Sequence, residues 1–433
     1  MKTVINIFST IALSSVVMFA SCKKDYGNLN SPTGEQFLNN ASASELNNLV
    51  SGTESGMRNN MAFYLDDVCT IGREGYRFSP SEPRYLTDLL GANNAVLSGS
   101  NFYINNPWSA RYRVVKNCNL LIQAAQNSSL ITTAEKSGYI GFARTIKAYE
   151  LLLNLNLTYT NGIRIDVADP DHLGPIVQYN EALQSIAALL DSGKTDLANA
   201  TVSFPLAGFT KFNDAAGLMQ VNRAIAARVA VYRQKWDESL TDLSESFFGL
   251  ARDLDLGVSH VFGTGSGDQL NPAFIPQNQN GEVRVAHPSF AADIAANDDR
   301  INKATLRNTT ASLSGLSSNR DVWVYTSSTA PMPIIRNEEL ILIYAEANIQ
   351  ANNFAEAIKA INRIRTSHNL AAYGGAQTKD ALINEMLQQK RYSLFYEGHR
   401  WIDLRRYNKL NTLPIDRPGD DVWDKFPLPV TEQ

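Results

Sequence analysis

The 433-residue sequence has few of the residues on which several classes of protein depend. It contains three cysteines and five histidines, and none of them are spaced as Cys-x-x-Cys or His-x-x-x-His, so a disulfide scaffold and a zinc site are not expected. Acidic residues (43) outnumber basic ones (39) and no basic run stands out, which argues against a nucleic-acid partner held through phosphates. The Gly-rich stretch 263–267 is not followed by Gly-Lys-Ser/Thr, so a nucleotide site is not expected there. The sequence therefore predicts no metal and no cofactor.

The first residues are typical of an export signal. Lys2 supplies a positive start, and an apolar stretch over 4–20 is too short and too rich in Ser and Thr to span a membrane comfortably. It ends in Ala20-Ser21-Cys22, which resembles the bacterial lipoprotein lipobox, in which the Cys is lipidated. An ordinary signal peptide with a chance Cys is the alternative. We therefore expect a signal peptide over 1–21, a lipid on Cys22 that anchors the chain to a membrane, and a polar tether over 22–42.

Helical hairpins are predicted over most of the remaining chain. Apolar residues recur at i, i+3, i+4 and i+7 from Leu340 to Ala347 and again from Phe354, with Asn-Asn between the two runs. This pair resembles a tetratricopeptide unit, and Trp236 occupies the position of Phe354 in an earlier pair. A third pair is predicted over 107–127 and 133–158, with Pro107 in the first turn of its helix. The helical scaffold is thus expected over about 107–250 and 334–410.

Two regions, about 61–106 and 257–333, lack helical periodicity and contain many glycines and prolines. Both are rich in aromatic residues, which disordered loops are not, so we expect them to be ordered. Cys69 and Cys118 could pair in an oxidising compartment, but we favour two small buried residues.

Several segments together resemble one family, the SusD/RagB outer-membrane nutrient-binding lipoproteins of Bacteroidetes. The resemblance lies in Pro-Ile-Ile-Arg-Asn-Glu-Glu-Leu at 333–340, in Tyr-Glu-Gly-His-Arg-Trp-Ile-Asp-Leu-Arg at 396–405, and in Phe-Pro-Leu-Pro at 426–429 with Glu432. It implies a mainly α, tetratricopeptide-like, single SusD-like domain over 43–433 whose irregular, loop-rich part faces the ligand.

The most recognisable motif is expected to be structural. Its charged residues lie at helix-turn spacings and could form ion pairs near the C-terminal helices, with Trp401 in the core. The residues of this motif are Glu397, Arg400, Trp401, Asp403 and Arg405.

The resemblance implies a surface protein that captures an oligosaccharide and passes it to a SusC-like TonB-dependent transporter. The protein would be lipid-anchored in the outer membrane, would face the cell exterior, and would not be an enzyme. Aromatic rings would stack on the sugar, flanked by polar side chains. The ligand-binding candidates come from the two irregular regions: Arg73, Tyr76, Phe78, Tyr85, Phe262, Asp268 and Phe274. Two alternatives remain open, a lipid-anchored all-α glycoside hydrolase and a peptide-binding tetratricopeptide-type adaptor.

Overall fold

The computed structural model describes residues 38–266 and 268–432. The expected signal peptide, Cys22 and most of the 22–42 tether lie outside the described residues. None of the helices in the described part of the chain is long and apolar enough to cross a membrane.

Helices dominate the described chain. They are α1 (Ala43–Met57), α2 (Met61–Ile71), α3 (Arg84–Thr87), α4 (Phe102–Asn127), α5 (Thr133–Thr158), α6 (Tyr179–Leu197), α7 (Ala215–Tyr232), α8 (Trp236–Glu245), α9 (Pro288–Asp293), α10 (Asn337–Gln350), α11 (Phe354–Ser367), α12 (Lys379–Ser393) and α13 (Arg400–Arg406). The strands are β1 (Gly75–Phe78), β2 (Ile163–Arg164), β3 (Ile176–Val177), β4 (Gly257–His260), β5 (Val283–Ala286), β6 (Ala304–Leu313), β7 (Leu316–Val322) and β8 (Met332–Arg336).

The helical scaffold is a stack in which each helix packs on its neighbours. Helix α5 lies between α4 and α6, α7 packs on α6 and α8, and α10 contacts α8, α11 and α12. At Gly141 of α5 an added Cβ would lie 2.6 Å from Cγ of Leu197, so the absent side chain permits the close approach of α6. The mainly α, tetratricopeptide-like prediction is confirmed.

Local sequence signals define several helix starts. Thr132 and Glu135 form a capping box before α5, in which the Thr132 backbone N–H donates to the Glu135 carboxylate at 2.8 Å. Trp236 and Phe354 are the first residues of α8 and α11, so the two positions that the sequence equated are equivalent in the fold.

The prediction for Pro107 was wrong. Helix α4 begins at Phe102, so Pro107 lies inside the helix and not in its first turn. The fully buried Tyr103 and Ile104 extend the helix toward its N-terminus, and their packing in the core outweighs the hydrogen bond that Pro107 cannot donate.

The two regions that were predicted to be irregular contain more regular structure than their patterns indicated. The first holds α2 and β1, and the second contributes β5, β6 and β7 to an antiparallel sheet of order β1-β5-β7-β6. Tyr76 pairs with Val285 in this sheet. Under the sheet, Tyr76 and Phe78 pack with Leu86 and other apolar residues in a small core. The aromatic residues of these regions therefore build an interior.

Candidate functional site

The four candidates from the first irregular region lie inside the protein, so the expectation that they contact a ligand is corrected. Arg73 is 1% exposed; its guanidinium pairs with Asp416 at 3.2 Å and donates to backbone carbonyls, including that of Ile71. The rings of Tyr76 and Phe78 stack with centroids 5.7 Å apart, and both residues are buried. Tyr85 is also buried. These side chains fill the core between β1 and its neighbours.

The candidates from the second region do not form one site. Phe262 is buried, and the Arg58 guanidinium lies 5.8 Å from its ring centroid. Arg58 also pairs with Asp268 beside a cleft of 320 Å³. Phe274 packs elsewhere, against Trp323 at 6.1 Å between centroids. Asp268 and Phe274 retain exposed surface, and their role as ligand contacts stays a prediction.

The C-terminal motif lies at the interior of the fold, and two of its charged residues form ion pairs with residues outside the motif. Glu397 pairs with Arg336 of β8 at 2.8 Å, and Asp403 pairs with Lys390 at 3.2 Å and with Arg406. Arg400 donates instead to the carbonyl of Gly72 at 3.0 Å. Glu397 and Asp403 thus join the motif to β8 and α12, whereas the pair of Asp403 with Arg406 lies within α13.

Trp401 and Arg405 of the same motif lie under a surface cleft. Trp401 is fully buried and donates its indole N–H to the carbonyl of Trp423 at 2.7 Å. The Arg405 guanidinium lies between two rings, 4.5 Å from the centroid of Trp401 and 4.2 Å from that of Tyr159. It also donates to the carbonyl of Asn156 at 2.9 Å. Arg405 of the motif therefore packs against the ring of Tyr159 and helps to hold it in place.

Tyr159 and Tyr179, with the buried Tyr232 beside them, line a cleft of 690 Å³ between the end of α5, the start of α6 and the end of α7. Their ring centroids are 4.6 Å apart in an edge-to-face arrangement, and both residues are half-buried. Burial raises the pKa of Tyr179, so its phenol stays protonated at neutral pH and can donate a hydrogen bond. The two tyrosines therefore offer a ligand both aromatic ring surface and a hydroxyl donor in the same cleft.

The backbone at Tyr159 is strained. Its φ of 48° and ψ of −118° lie in a region that only glycine adopts easily, and here they occur directly after the last residue of α5. Strained backbone in a folded protein persists where surrounding contacts hold it, and it is often found at functional sites. The contact with Arg405 is one such restraint.

Polar side chains surround the two rings. Four amides line the cleft, together with Arg233, Lys235 and Arg406. The amides belong to Gln178, Asn180, Gln184 and Gln234. No Asp or Glu is present among the described residues that line this cleft. Planar amides and tyrosines can satisfy sugar hydroxyls, whereas most glycoside hydrolases use two opposed carboxylates.

Comparison with solved structures identifies the fold. A SusD superfamily protein from Bacteroides vulgatus superposes with a TM-score of 0.68 at 15% identity, over 90% of this chain and 96% of that one. The surface glycan-binding protein A from Bacteroides thetaiotaomicron, in complex with laminarihexaose, gives 0.69 at 11% identity, over 90% and 97%.

The fold is SusD-like.

Sequence comparison agrees with this SusD-like fold. Residues 279–422 match the model of the SusD family, a stretch that includes the motif around Trp401. The SusD-like protein P38 from Formosa agariphila is 33% identical over 105 residues, which is 21% of each chain. The match thus spans about a fifth of that curated relative. The resemblance to the SusD/RagB family is confirmed.

Sequence reasoning missed Tyr159 and Tyr179. Each lies at the end of a predicted helix, next to a Thr-Asn-Gly break in one case and a Gln in the other. An aromatic residue beside a helix end was the only signal that the sequence offered for each tyrosine. The contact between Tyr159 and Tyr179 forms only when the chain folds.

Proposed function

We propose that the protein captures an oligosaccharide in the cleft of Tyr159 and Tyr179. The observation that carries the proposal is one cleft that combines two half-buried tyrosine rings and four amides and has no carboxylate among the described residues that line it. Aromatic rings pack on the apolar faces of sugars while amides bond their hydroxyls. A protein of the same fold, surface glycan-binding protein A, is described in complex with laminarihexaose, which supports the ligand class.

The proposal extends to the place of the protein in the cell. A lipid on Cys22 would hold the protein at the outer membrane, facing the exterior, where it would deliver the captured oligosaccharide to a SusC-like TonB-dependent transporter. The lipobox-like Ala-Ser-Cys and the SusD family match support this assignment. Replacement of Cys22 by alanine in the full chain should release the protein from membranes, and unchanged retention would refute the anchor.

Calorimetry with a panel of oligosaccharides tests the site. Ligands should reach millimolar concentrations, because a Kd of 1 mM corresponds to only about −4 kcal/mol. Tyr159→Ala and Tyr179→Ala should each weaken binding about tenfold or more, since each removes a ring from the cleft. Tyr373→Ala is the matched control, because Tyr373 is a half-buried tyrosine in the segment between α11 and α12. If Tyr159→Ala, Tyr179→Ala and Tyr373→Ala bind the oligosaccharide with equal affinity, the binding site does not lie in this cleft.

The same samples separate binding from hydrolysis. A binding protein should leave the oligosaccharide intact over a day at 37 °C, with no increase in reducing ends. Turnover that persists in a highly purified sample would instead support the glycoside hydrolase alternative.

Co-purification tests the partner. We expect the full chain, extracted from its native host in a gentle detergent, to elute with an outer-membrane barrel. Recovery as a free monomer would contradict delivery to a transporter, and recovery with a soluble peptide partner would favour the adaptor alternative.

A further inference from the structure

A second cleft, of 970 Å³, lies between α4, α5 and the segment that follows β2. Its volume is in the range of small-molecule sites. One wall is the outer stripe of α4 that includes Tyr112, Lys116 and Asn119. The opposite wall is formed by residues 167–173 and by Leu189 of α6. The residues of this cleft are distinct from those of the tyrosine cleft.

The walls of the second cleft are mostly apolar. Leu120, Val167, Pro170, Leu173 and Leu189 all contribute surface to it. Leu173 is 49% exposed and adds accessible apolar surface to this wall. Such a surface favours a ligand with an apolar body over a sugar, whose hydroxyls would lie against these side chains unbonded.

Two lysines in this cleft form no ion pair with a carboxylate in the part of the chain that the structure describes. The Lys147 ammonium donates to Oδ1 of Asn119 at 2.8 Å, and Lys116 lies one turn before Asn119 on α4. Neither lysine forms an ion pair within the described residues. Burial lowers the pKa of Lys147, because desolvation penalises its charged form more than Asp166 stabilises it. An additional negative charge close to Lys147 would offset that penalty.

The arginines of the cleft differ from the lysines. Arg144 pairs with Asp196 and Arg164 pairs with Glu432, each at 2.6 Å. Their charges are therefore already compensated, and the uncompensated positive charge is concentrated at Lys116 and Lys147. The cleft combines a cationic end with an apolar wall.

We propose that this cleft binds an organic carboxylate with an apolar body, its carboxylate at Lys147 and Lys116 and its body along residues 167–173. The inference is independent of the oligosaccharide proposal, because it rests on different residues and a different ligand chemistry. The apolar body can be an alkyl chain or an aromatic ring, and the two are tested separately.

Calorimetry of the chain from Lys23 onward with octanoate and with 3-phenylpropanoate tests the proposal. At least one should bind saturably, and octan-1-ol, which has the same chain without the charge, should bind at least tenfold more weakly than octanoate. Lys147→Gln should reduce octanoate affinity about tenfold while leaving the affinity for octan-1-ol unchanged. Lys194→Gln is the control, because Lys194 is an exposed lysine of α6 that pairs with Glu245.

A variant of the opposite wall keeps the test valid if Lys147→Gln folds poorly. Leu173→Ser changes an exposed side chain and should weaken octanoate binding several-fold with no change in melting temperature. Acid and alcohol binding with equal affinity would overturn the role of the lysines. No saturable binding of either carboxylate would overturn the proposal.

Discussion

Asp67 is a carboxyl group without a polar partner in the core. It is fully buried in α2, and neither of its oxygens has a hydrogen-bond partner among the described residues. Burial raises its pKa well above the ordinary carboxyl value, and the neighbouring Asp66 charge adds to the effect. The folded chain therefore holds this proton to a higher pH than the unfolded chain does.

This shift predicts a pH dependence of stability. Above about pH 4 the unfolded chain releases the Asp67 proton while the folded chain retains it, so this group lowers the free energy of unfolding as the pH rises. Asp67→Asn removes that contribution, and the stability of the variant relative to the wild type should increase between pH 5 and pH 8. Urea denaturation measures it, with the exposed Asp171→Asn as control. A difference that stays constant with pH would contradict the assignment.

Cys69 and Cys118 are free and buried, as favoured from the sequence. Burial raises the pKa of both thiols, which keeps them in the unreactive thiol form at neutral pH. We therefore expect no change in melting temperature when a reductant is added. A thiol reagent should modify neither cysteine in the native protein within an hour but both in urea, and rapid labelling of the native protein would contradict their burial.

At the scale of elements, the start of α5 depends on one hydroxyl. The Thr132 side chain accepts the N–H of Glu135 at 3.2 Å and satisfies a donor that the helix leaves free. Thr132→Ala should lower the free energy of unfolding by about 0.5–2 kcal/mol. Thr195→Ala in the last turn of α6 is the matched control, because its hydroxyl bonds the carbonyl of Asp191 within the same helix. Equal losses in both variants would argue against the cap.

The elements also show which structure the sequence could predict. Helix 133–158 was predicted with the bounds that α5 has, because apolar periodicity is a local signal. The sheet was missed, because β1 has four residues and pairs with β5 far along the chain. Short strands that pair across the chain have no local signature beyond a few apolar residues.

At the scale of the whole molecule, one arginine joins the scaffold to the C-terminal motif. Arg336, at the end of β8, pairs with both Glu338 and Glu397 and donates to the carbonyl of Ser393 at 2.7 Å. All three charged side chains are buried. Removal of the guanidinium would leave two carboxylates in the interior without their cation.

Arg336→Ala should therefore lower the free energy of unfolding by roughly 3–5 kcal/mol. A second substitution in the same chain, Glu397→Gln, should recover part of the lost free energy of unfolding, because it removes one of the two buried carboxylates that have lost their cation. Chemical denaturation measures both, with the exposed Arg113→Ala as control. A double variant that is no more stable than Arg336→Ala would show that the pair with Glu397 is not the cause.

The candidate site could not be predicted at any of these scales from the sequence. The motif from Glu397 to Arg405 was recognisable because its interior contacts restrict it, and Trp401 indeed lies in the core. Tyr159 and Tyr179 meet only when α5, α6 and α13 are assembled, and aromatic residues of the first irregular region, such as Tyr76, lie in the core instead. An aromatic residue in a loop-rich region is informative about order, not about accessibility.

The outer strand β6 has a consequence for how the protein behaves when many copies share a crowded surface. It is an edge of the four-stranded sheet, and Leu306 on it is 63% exposed. Its pairing with β7 shifts register between Leu306 and Ala311, which breaks the row of free backbone groups into short lengths. A neighbouring copy finds no continuous ladder to extend along β6, so this edge should resist the addition of a further strand.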